Sequence, residues 1–422
     1  MLSQAENERL VRVGPGTPAG ELFRRYWQPA CLSSELPEPD GAPVRVRLLG
    51  EDLIAFRDTA GRVGVVDAYC AHRRAPLFFG RNEECGLRCV YHGWKFDVDG
   101  NCVDLPSEPE SSPLKATVRL KAYPAREKAG IVWAYLGPAE RMPALPDYEW
   151  TRVPPTHCFV SKTYEACNYL QALEGGLDTA HSSYLHNLKL GDTTQLRQRD
   201  RAPRLEVEIT DYGYSYVSTR QAGADGTYVR VYHYVMPFQQ MRGGLNGILR
   251  RNDVPKLDGH LWVPIDDVQT HVYNWGYSAD PAFPISEEAA EAYEHHSGRG
   301  KDDLIPGTFM LKRNPSNDYL IDRQAQKTRS FTGIEGVNTQ DFAVQEGMGP
   351  IVDRSKEYLG TTDRAIVALR RLLLDATAAV ERGEEAPGAD PRTHRSIRPY
   401  DGLVPPGGNW RETFAEGLKC RW

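Results

Sequence analysis

Two short motifs carry the first chemistry in this sequence. Cys70-Ala-His72 is followed, after 16 intervening residues, by Cys89-Val-Tyr-His92, so the pattern is C-x-H-x16-C-x2-H. Each motif offers one thiolate and one imidazole. Two such loops facing each other can enclose a binuclear iron–sulfur cluster, with the thiolates on one iron and the imidazoles on the other. Neutral imidazoles reduce the negative charge around the cluster and raise its potential to about −150 to +300 mV. A structural zinc site is the competing reading, since zinc is also held by Cys2His2 sets. Those sets usually pair Cys with Cys and His with His, whereas each loop here is mixed. Pro76, Gly80, Gly93 and Trp94 flank the loops, and small or rigid residues there let backbone amides approach the sulfides. Cys31, Cys85, Cys102, Cys158, Cys167 and Cys420 read as plain thiols; Cys85 and Cys102 lie near the motifs but lack a His partner.

A second constellation is Glu174-x3-Asp178-x2-His181-x4-His186. Two His and one carboxylate with open positions form the facial triad of non-heme iron enzymes. A helix turns by about 100° per residue, so positions five apart do not share a face. His181 and His186 can therefore share a metal only if the helix bends or ends between them. A His pair in a helix is otherwise more often a surface or core feature.

The elements that must position these residues differ along the chain. Residues 18–37 hold a short amphipathic stretch, GELFRRYW, that reads as a lead-in helix. From about Val44 the pattern is β: VRVRLL, LIAFRD, the turn TAGR, VGVVDAYC, then KFDVDGNCVDL around an Asp99-Gly100 hairpin turn. GIVWAYLG, 130–137, is a last buried strand. The composition changes near RMPALPDYEW. Beyond it HCFVSKTYEA reads as a strand, and NYLQALEGGLDTAHSSYLH as a helix despite Gly175-Gly176. Residues 205–220, 227–238 and 260–278 read as long antiparallel strands. The stretch from Asp341 to about Gly383 reads as helical, with Gly383 as its stop.

Composition narrows the class. The chain has 422 residues, 40% hydrophobic and 26% charged, which is ordinary globular composition. A net charge of −6 argues against a nucleic-acid partner. No apolar run approaches the roughly 20 residues of a membrane span. MLSQAENERLVRV has no apolar signal core, so the expected compartment is the cytoplasm. Eight Cys are too sparse for a disulfide scaffold.

C-x-H-x16-C-x2-H followed by Gly93-Trp94 resembles the Rieske domain of the Rieske non-heme iron oxygenases. GPGTPAGELFRRYW, 14–27, resembles the opening of their phthalate-dioxygenase-type branch, and points to an oxygenase component of the alpha-subunit type. The resemblance implies an α+β chain: a small all-β Rieske [2Fe–2S] domain and a helix-grip (START-like) catalytic domain around an antiparallel sheet. The expected bounds are 1–39 for a helical lead-in packing on the catalytic domain, 40–145 for the Rieske domain and 146–422 for the catalytic domain. Cys70, His72, Cys89 and His92 would hold the cluster.

Asn168-x2-Gln171-x2-Glu174-Gly175-x2-Asp178-x2-His181-x4-His186 resembles the iron-binding helix of this family. By that match His181 and His186 bind a mononuclear Fe(II). Asp178 is then a catalytic acid that hydrogen-bonds a ligand His and faces the cluster of a neighbouring subunit. Asp341, after Asn338-Thr339-Gln340 and before FAVQEGMGPIVDR, fits the third ligand; Glu346 and Asp353 are the nearest alternatives, and helix capping is the ordinary role of such an Asp. The family closes head-to-tail rings, so a homo-oligomer, a trimer or a multiple of one, is expected.

Gly14-Pro-Gly16-Thr-Pro-Ala-Gly20 departs from a dinucleotide fingerprint and follows no strand. Electrons must then come from a separate NAD(P)H-dependent reductase, with or without a ferredoxin. The alternating strands are expected to bring His233, Met236, Phe238, Met241 and Arg242 to one pocket wall. Arg204, Arg220, Arg230 and Arg242 are candidates to hold a carboxylate, and Arg242 and His233 are the expected substrate contacts. The implied function is hydroxylation or O-demethylation of a small aromatic acid with O2. The alternatives are ring cis-dihydroxylation of phthalate-like acids and, outside enzymes, a Rieske electron carrier fused to a ligand-binding domain.

Overall fold

The computed structural model describes residues 1–192, 194–243 and 256–422. It divides into two compact units, Val13–Leu145 and Met1–Arg12 with Pro146–Trp422. The stretch expected as one lead-in over 1–39 is thus split. Helix Gln4–Val11 belongs to the larger unit, held there by Arg9 to Thr377 at 3.0 Å. The strand Trp27–Leu32 belongs to the smaller one, because it pairs with Ile131–Tyr135.

The smaller unit is built from short antiparallel sheets. Val44–Leu48, Glu51–Arg57, Val63–Asp67 and Ala122–Tyr123 form one; Arg81–Glu83, Gly86–Arg88, Lys95–Phe96 and Cys102–Asp104 form another. Trp27–Leu32, Ile131–Tyr135 and Ala125–Lys128 form the third. Phe56, Val66, Leu77, Leu87 and Phe96 close a core that also contains Cys70, Cys89 and Trp94.

The larger unit is α+β. Its sheet runs Cys158–Glu165, Thr270–Ser278, Lys256–Pro264, Gln239–Gly243, Thr227–Val235, Gly213–Gln221 and Arg204–Thr210, every neighbour antiparallel. Tyr400–Val404 shares an edge of Thr227–Val235 with Gln239–Gly243. Among the described residues no helix is long and apolar enough to cross a membrane.

The sequence predicts one helix over 168–186; the structure ends it at Leu177. Asn168 caps its start, accepting from the Leu170 amide at 3.0 Å. Gly175 and Gly176 sit inside this helix under close neighbours: an added Cβ would lie 2.1 Å from the Trp262 ring at Gly176, and 2.0 Å from Gln345 Nε2 at Gly175, where the Gln side chain would have to move. The helix is also clamped by buried charge. Glu174 receives Arg354 at 3.0 Å and Arg370 at 2.6 Å, and Arg370 also holds Glu357 at 2.6 Å. The C-terminal region expected as one helical stretch breaks instead into Val337–Gly347 and Arg364–Glu381. Glu174 thereby ties the 169–177 helix to the 364–381 helix.

Candidate metal centres and cavity

The two Cys-His loops are closed in the same way. Cys70 N donates to Ala75 O at 2.9 Å, and Arg74 N returns to Cys70 O at 2.9 Å. Cys89 N donates to Trp94 O at 2.8 Å, and Gly93 N returns to Cys89 O at 2.9 Å. The fourth residue after each Cys has a left-handed backbone, Arg74 at φ 58° and Gly93 at φ 78°. At Gly93 a Cβ would also strike Pro106, at 2.6 Å.

These tight loops bring the four residues together. Both thiols are buried and lie within hydrogen-bonding reach of each other. The His72 and His92 rings are 4.5 Å apart, and Trp94 stacks on His72 at 4.3 Å and 7°. Burial pushes the Cys70 thiol up to about 11, opposed by amide donation from His72 and Arg73. His72 Nδ1 is buried without a hydrogen-bond partner among the described residues. Two converging thiols, amides aimed at sulfur and an unpaired ring nitrogen fit a [2Fe–2S] cluster with mixed ligands.

In the larger unit, His181, His186 and Asp341 bring ligand atoms within 4.8 Å of one another. His181 Nε2 and His186 Nε2 are 3.0 Å apart, and Asp341 Oδ1 lies 3.7 and 3.2 Å from them. The geometry arises because the helix has ended and His181 opens a single 3-10 turn, His181–Ser183. Asp341 comes from the middle of helix Val337–Gly347 and so is not a capping residue. Glu346 and Asp353 are occupied elsewhere: Glu346 accepts from Ala166 N and the Tyr319 hydroxyl, and Asp353 caps Ser355. Asp178 Oδ2 lies 3.5 Å from His181 Nδ1, and its Oδ1 accepts from Ala180 N at 2.7 Å. Gln340 Oε1 holds His186 Nδ1 at 2.8 Å, fixing the ring from behind. Burial opposes ionisation of Asp341, yet His186 and His181 hold its carboxyl below the usual value. A carboxylate and two imidazoles, His186 anchored through its far nitrogen and the far nitrogen of His181 facing the Asp178 carboxylate, fit one mononuclear iron.

The triad opens onto a cavity of about 1240 Å³. Tyr232, Trp262, Val272 and Phe342 give it apolar surface, and Arg197, Arg220, Arg230 and Arg242 give it positive charge. Arg242 is ion-paired to Asp258, which also takes the Tyr293 hydroxyl at 2.6 Å. Arg220 donates to the Thr179 and Asp200 carbonyls and to Ser183, and Arg230 to the Gly243 carbonyl. No carboxylate among the described residues pairs with Arg197, Arg220 or Arg230. Burial and the nearby Arg230 charge pull Arg197 down to about 10.

His233 does not reach this cavity, contrary to the sequence expectation. It is cross-strand to Met241, whereas Tyr232 is cross-strand to Arg242, so strand alternation sends His233 to the opposite face. There it meets the Tyr212 hydroxyl at 2.8 Å and the Arg398 carbonyl at 3.2 Å. Met236, Phe238, Met241 and Arg204 are also absent from the cavity wall. Sequence reasoning missed Arg197, on the short helix Leu196–Arg199, and His260. Nothing in local spacing marks Arg197. His260 shares the face of Gln240 and Arg242 by strand register alone.

The fold and its two ligand sets define an oxygenase that couples a Rieske cluster to a mononuclear non-heme iron. Residues 26–124 match the Rieske [2Fe–2S] domain family, and 134–420 the family described as LigXa C-terminal domain like. The chain is 40% identical to the phthalate 4,5-dioxygenase oxygenase subunit of Pseudomonas putida, over 98% of this chain and 94% of that one. It is 38% identical to the 3-chlorobenzoate-3,4-dioxygenase oxygenase subunit of Comamonas testosteroni, over 98% of each. It is 33% identical to the 5,5'-dehydrodivanillate O-demethylase oxygenase subunit of a Sphingobium species, over 94% of this chain and 86% of that one. The fold is shared with dicamba monooxygenase bound to dicamba, at a TM-score of 0.61 and 18% identity over 86% of this chain and 99% of that one. The chain belongs to the Rieske non-heme iron oxygenases, as an oxygenase alpha subunit.

Proposed function

We propose that this subunit hydroxylates or O-demethylates an aromatic carboxylic acid, with electrons from a separate NAD(P)H-dependent reductase, directly or through a ferredoxin. The observation that carries this reading is the shared cavity: the His181, His186 and Asp341 triad opens beside three arginines that lack a carboxylate partner among the described residues. A guanidinium fork matches two carboxylate oxygens, so a bound acid supplies the missing anion. The relatives named for phthalate, chlorobenzoate and dehydrodivanillate support an acid as substrate.

In this reading Cys70, His72, Cys89 and His92 hold the cluster of the 40–145 domain, and His181, His186 and Asp341 hold iron in the 146–422 domain. When bound, the cluster supplies single electrons and the iron supplies dioxygen activation. The chain's own residues position the rest. Asp178 and Gln340 orient the two ligand imidazoles. Arg197, Arg220 and Arg230 orient the acid, and Tyr232 and Trp262 exclude water from the ring. Asp178 is also the residue through which we connect the site to the cluster of a neighbouring subunit, in a homotrimer or a multiple of it. We place the protein in the cytoplasm, whose reducing conditions suit its free cysteines.

The test combines metal and product analysis. About three irons and two sulfides per chain are expected. A panel of aromatic acids with a generic reductase and labelled dioxygen then separates the outcomes. Formaldehyde marks demethylation, one labelled oxygen retained on the ring marks hydroxylation, and two mark a diol. No acid-dependent oxygen uptake from any panel member overturns the substrate class.

A further inference from the structure

One histidine of the cavity wall is held in a single tautomer by a row of polar side chains. Gln240, His260, Asn274 and Ser161 stand directly opposite one another on four successive strands of the central sheet. Beyond Ser161, Arg299 holds the Glu294 carboxylate in two bonds, at 2.8 and 2.9 Å. That carboxylate only accepts, so the Ser161 hydroxyl donates to it. Ser161 Oγ then accepts from Asn274 Nδ2 at 3.3 Å, and the same nitrogen donates to the Val272 carbonyl at 3.4 Å. Two acceptors on one side decide which end of the Asn274 amide is nitrogen. Its Oδ1 therefore faces His260 Nδ1, at 2.7 Å, and His260 Nδ1 carries the proton.

The ring's other nitrogen is left with a lone pair. Burial, and the positive charges of Arg242 and Arg299, hold His260 well below its ordinary value, so the ring is neutral near pH 7. His260 is 3% exposed and forms part of the cavity wall. Its Nε2 has no hydrogen-bond partner among the described residues. The arginines of the same cavity are donors only, and Asp258 is already taken by Arg242 and Tyr293. His260 Nε2 is thus an uncommitted neutral acceptor on a wall rich in donors.

We propose that His260 determines specificity in this cavity, its Nε2 accepting a hydrogen bond from a phenolic hydroxyl on the bound aromatic compound. The carboxylate partner of the arginines rests on the function proposed above; the hydroxyl does not. An ether oxygen or a ring hydrogen at the same position cannot donate and leaves this nitrogen unpaired once the cavity is filled, which is how a polar site discriminates.

Calorimetric titration of the iron- and cluster-loaded protein tests this. The probes are benzoate, 3-hydroxybenzoate and 4-hydroxybenzoate, with anisole and phenol as an uncharged pair. In the unaltered protein at least one phenol binds about tenfold tighter than its counterpart without the hydroxyl. His260→Leu removes that ratio, and His260→Gln, whose Oε1 also accepts, keeps most of it. Asn274→Leu, which frees the tautomer, lowers the ratio and leaves benzoate affinity within about twofold. The absence of any hydroxyl preference in both series, or a ratio unchanged in His260→Leu, overturns the proposal. If none of the three acids binds but phenol still outbinds anisole, the arginine reading fails and the histidine assignment stands.

Discussion

His181 and His186 point their Nε2 atoms at each other across 3.0 Å, although five residues separate them in sequence. A continuous helix would place them on different faces. The chain leaves the helix at Leu177, caps it with Asp178 and turns once through His181–Ser183, and both rings then face Asp341. Two imidazole lone pairs and a carboxylate oxygen at such distances repel one another unless a proton or a cation lies between them.

The first prediction concerns that cation. Asp341→Ala and His186→Ala should each lower iron from about three to about two per chain, with sulfide content and the cluster's visible spectrum kept. Elemental analysis reads the result. A third iron retained in Asp341→Ala would return the ligand role to Glu346 or Asp353.

Arg197 makes no hydrogen bond or ion pair among the described residues, so its removal should cost binding and not folding. Arg197→Gln is expected to raise KM for an acid substrate by about 10- to 100-fold, the value of about 1.5–3 kcal/mol for a charged hydrogen bond. Its Tm should stay at the parent value. Arg242→Gln should behave oppositely, losing stability because Asp258 is left without its ion-pair partner. Parallel kinetics and thermal unfolding of the two variants distinguish the roles.

Glu174 is the shared partner of two buried arginines. Glu174→Gln leaves both cations under-compensated and should destabilise the protein by about 3–5 kcal/mol in urea unfolding. An unchanged midpoint would mean that Glu357 alone suffices for Arg370 and that Arg354 needs no anion.

Glu165 supplies a pH test. Burial, with the Glu346 charge nearby, raises its carboxyl well above the ordinary 4.5, and Cys167 donates to it at 3.4 Å. The folded protein keeps a proton there that the unfolded chain loses above pH 4.5. The site's contribution is full below that pH and is lost as pH rises toward the folded value. Glu165→Gln carries no such penalty, so relative to the parent it should gain stability between about pH 5 and about pH 8. Denaturant midpoints at the two pH values check it, and a pH-independent difference contradicts it.

Much of this protein was legible from local spacing. The Cys-His loops, the Gly93-Trp94 that follows them and the alternating strands indicated a Rieske domain and an antiparallel sheet without any long-range contact. Each of those signals spans a few residues, and short-range sterics and hydrogen bonding act over that length. The end of the helix at Leu177 was less legible, because Gly175 and Gly176 read as weak helix residues until Gln345 and Trp262 are seen to press against them.

What the tertiary structure alone decided lies between distant segments. Strand register put Arg242 and His260 on the cavity face and turned His233 away, since a one-residue shift reverses every side chain. Packing of the 337–347 helix selected Asp341 over Glu346 and Asp353 as the carboxylate that faces the two histidines. Chain folding carried Arg197 to the cavity wall near Arg230, where no carboxylate among the described residues pairs with it. The sequence by itself determined which chemistries were present, because ligand types and their close spacing are local. Only the folded chain decided which residues converge, because convergence depends on register and packing between segments that sequence spacing does not relate.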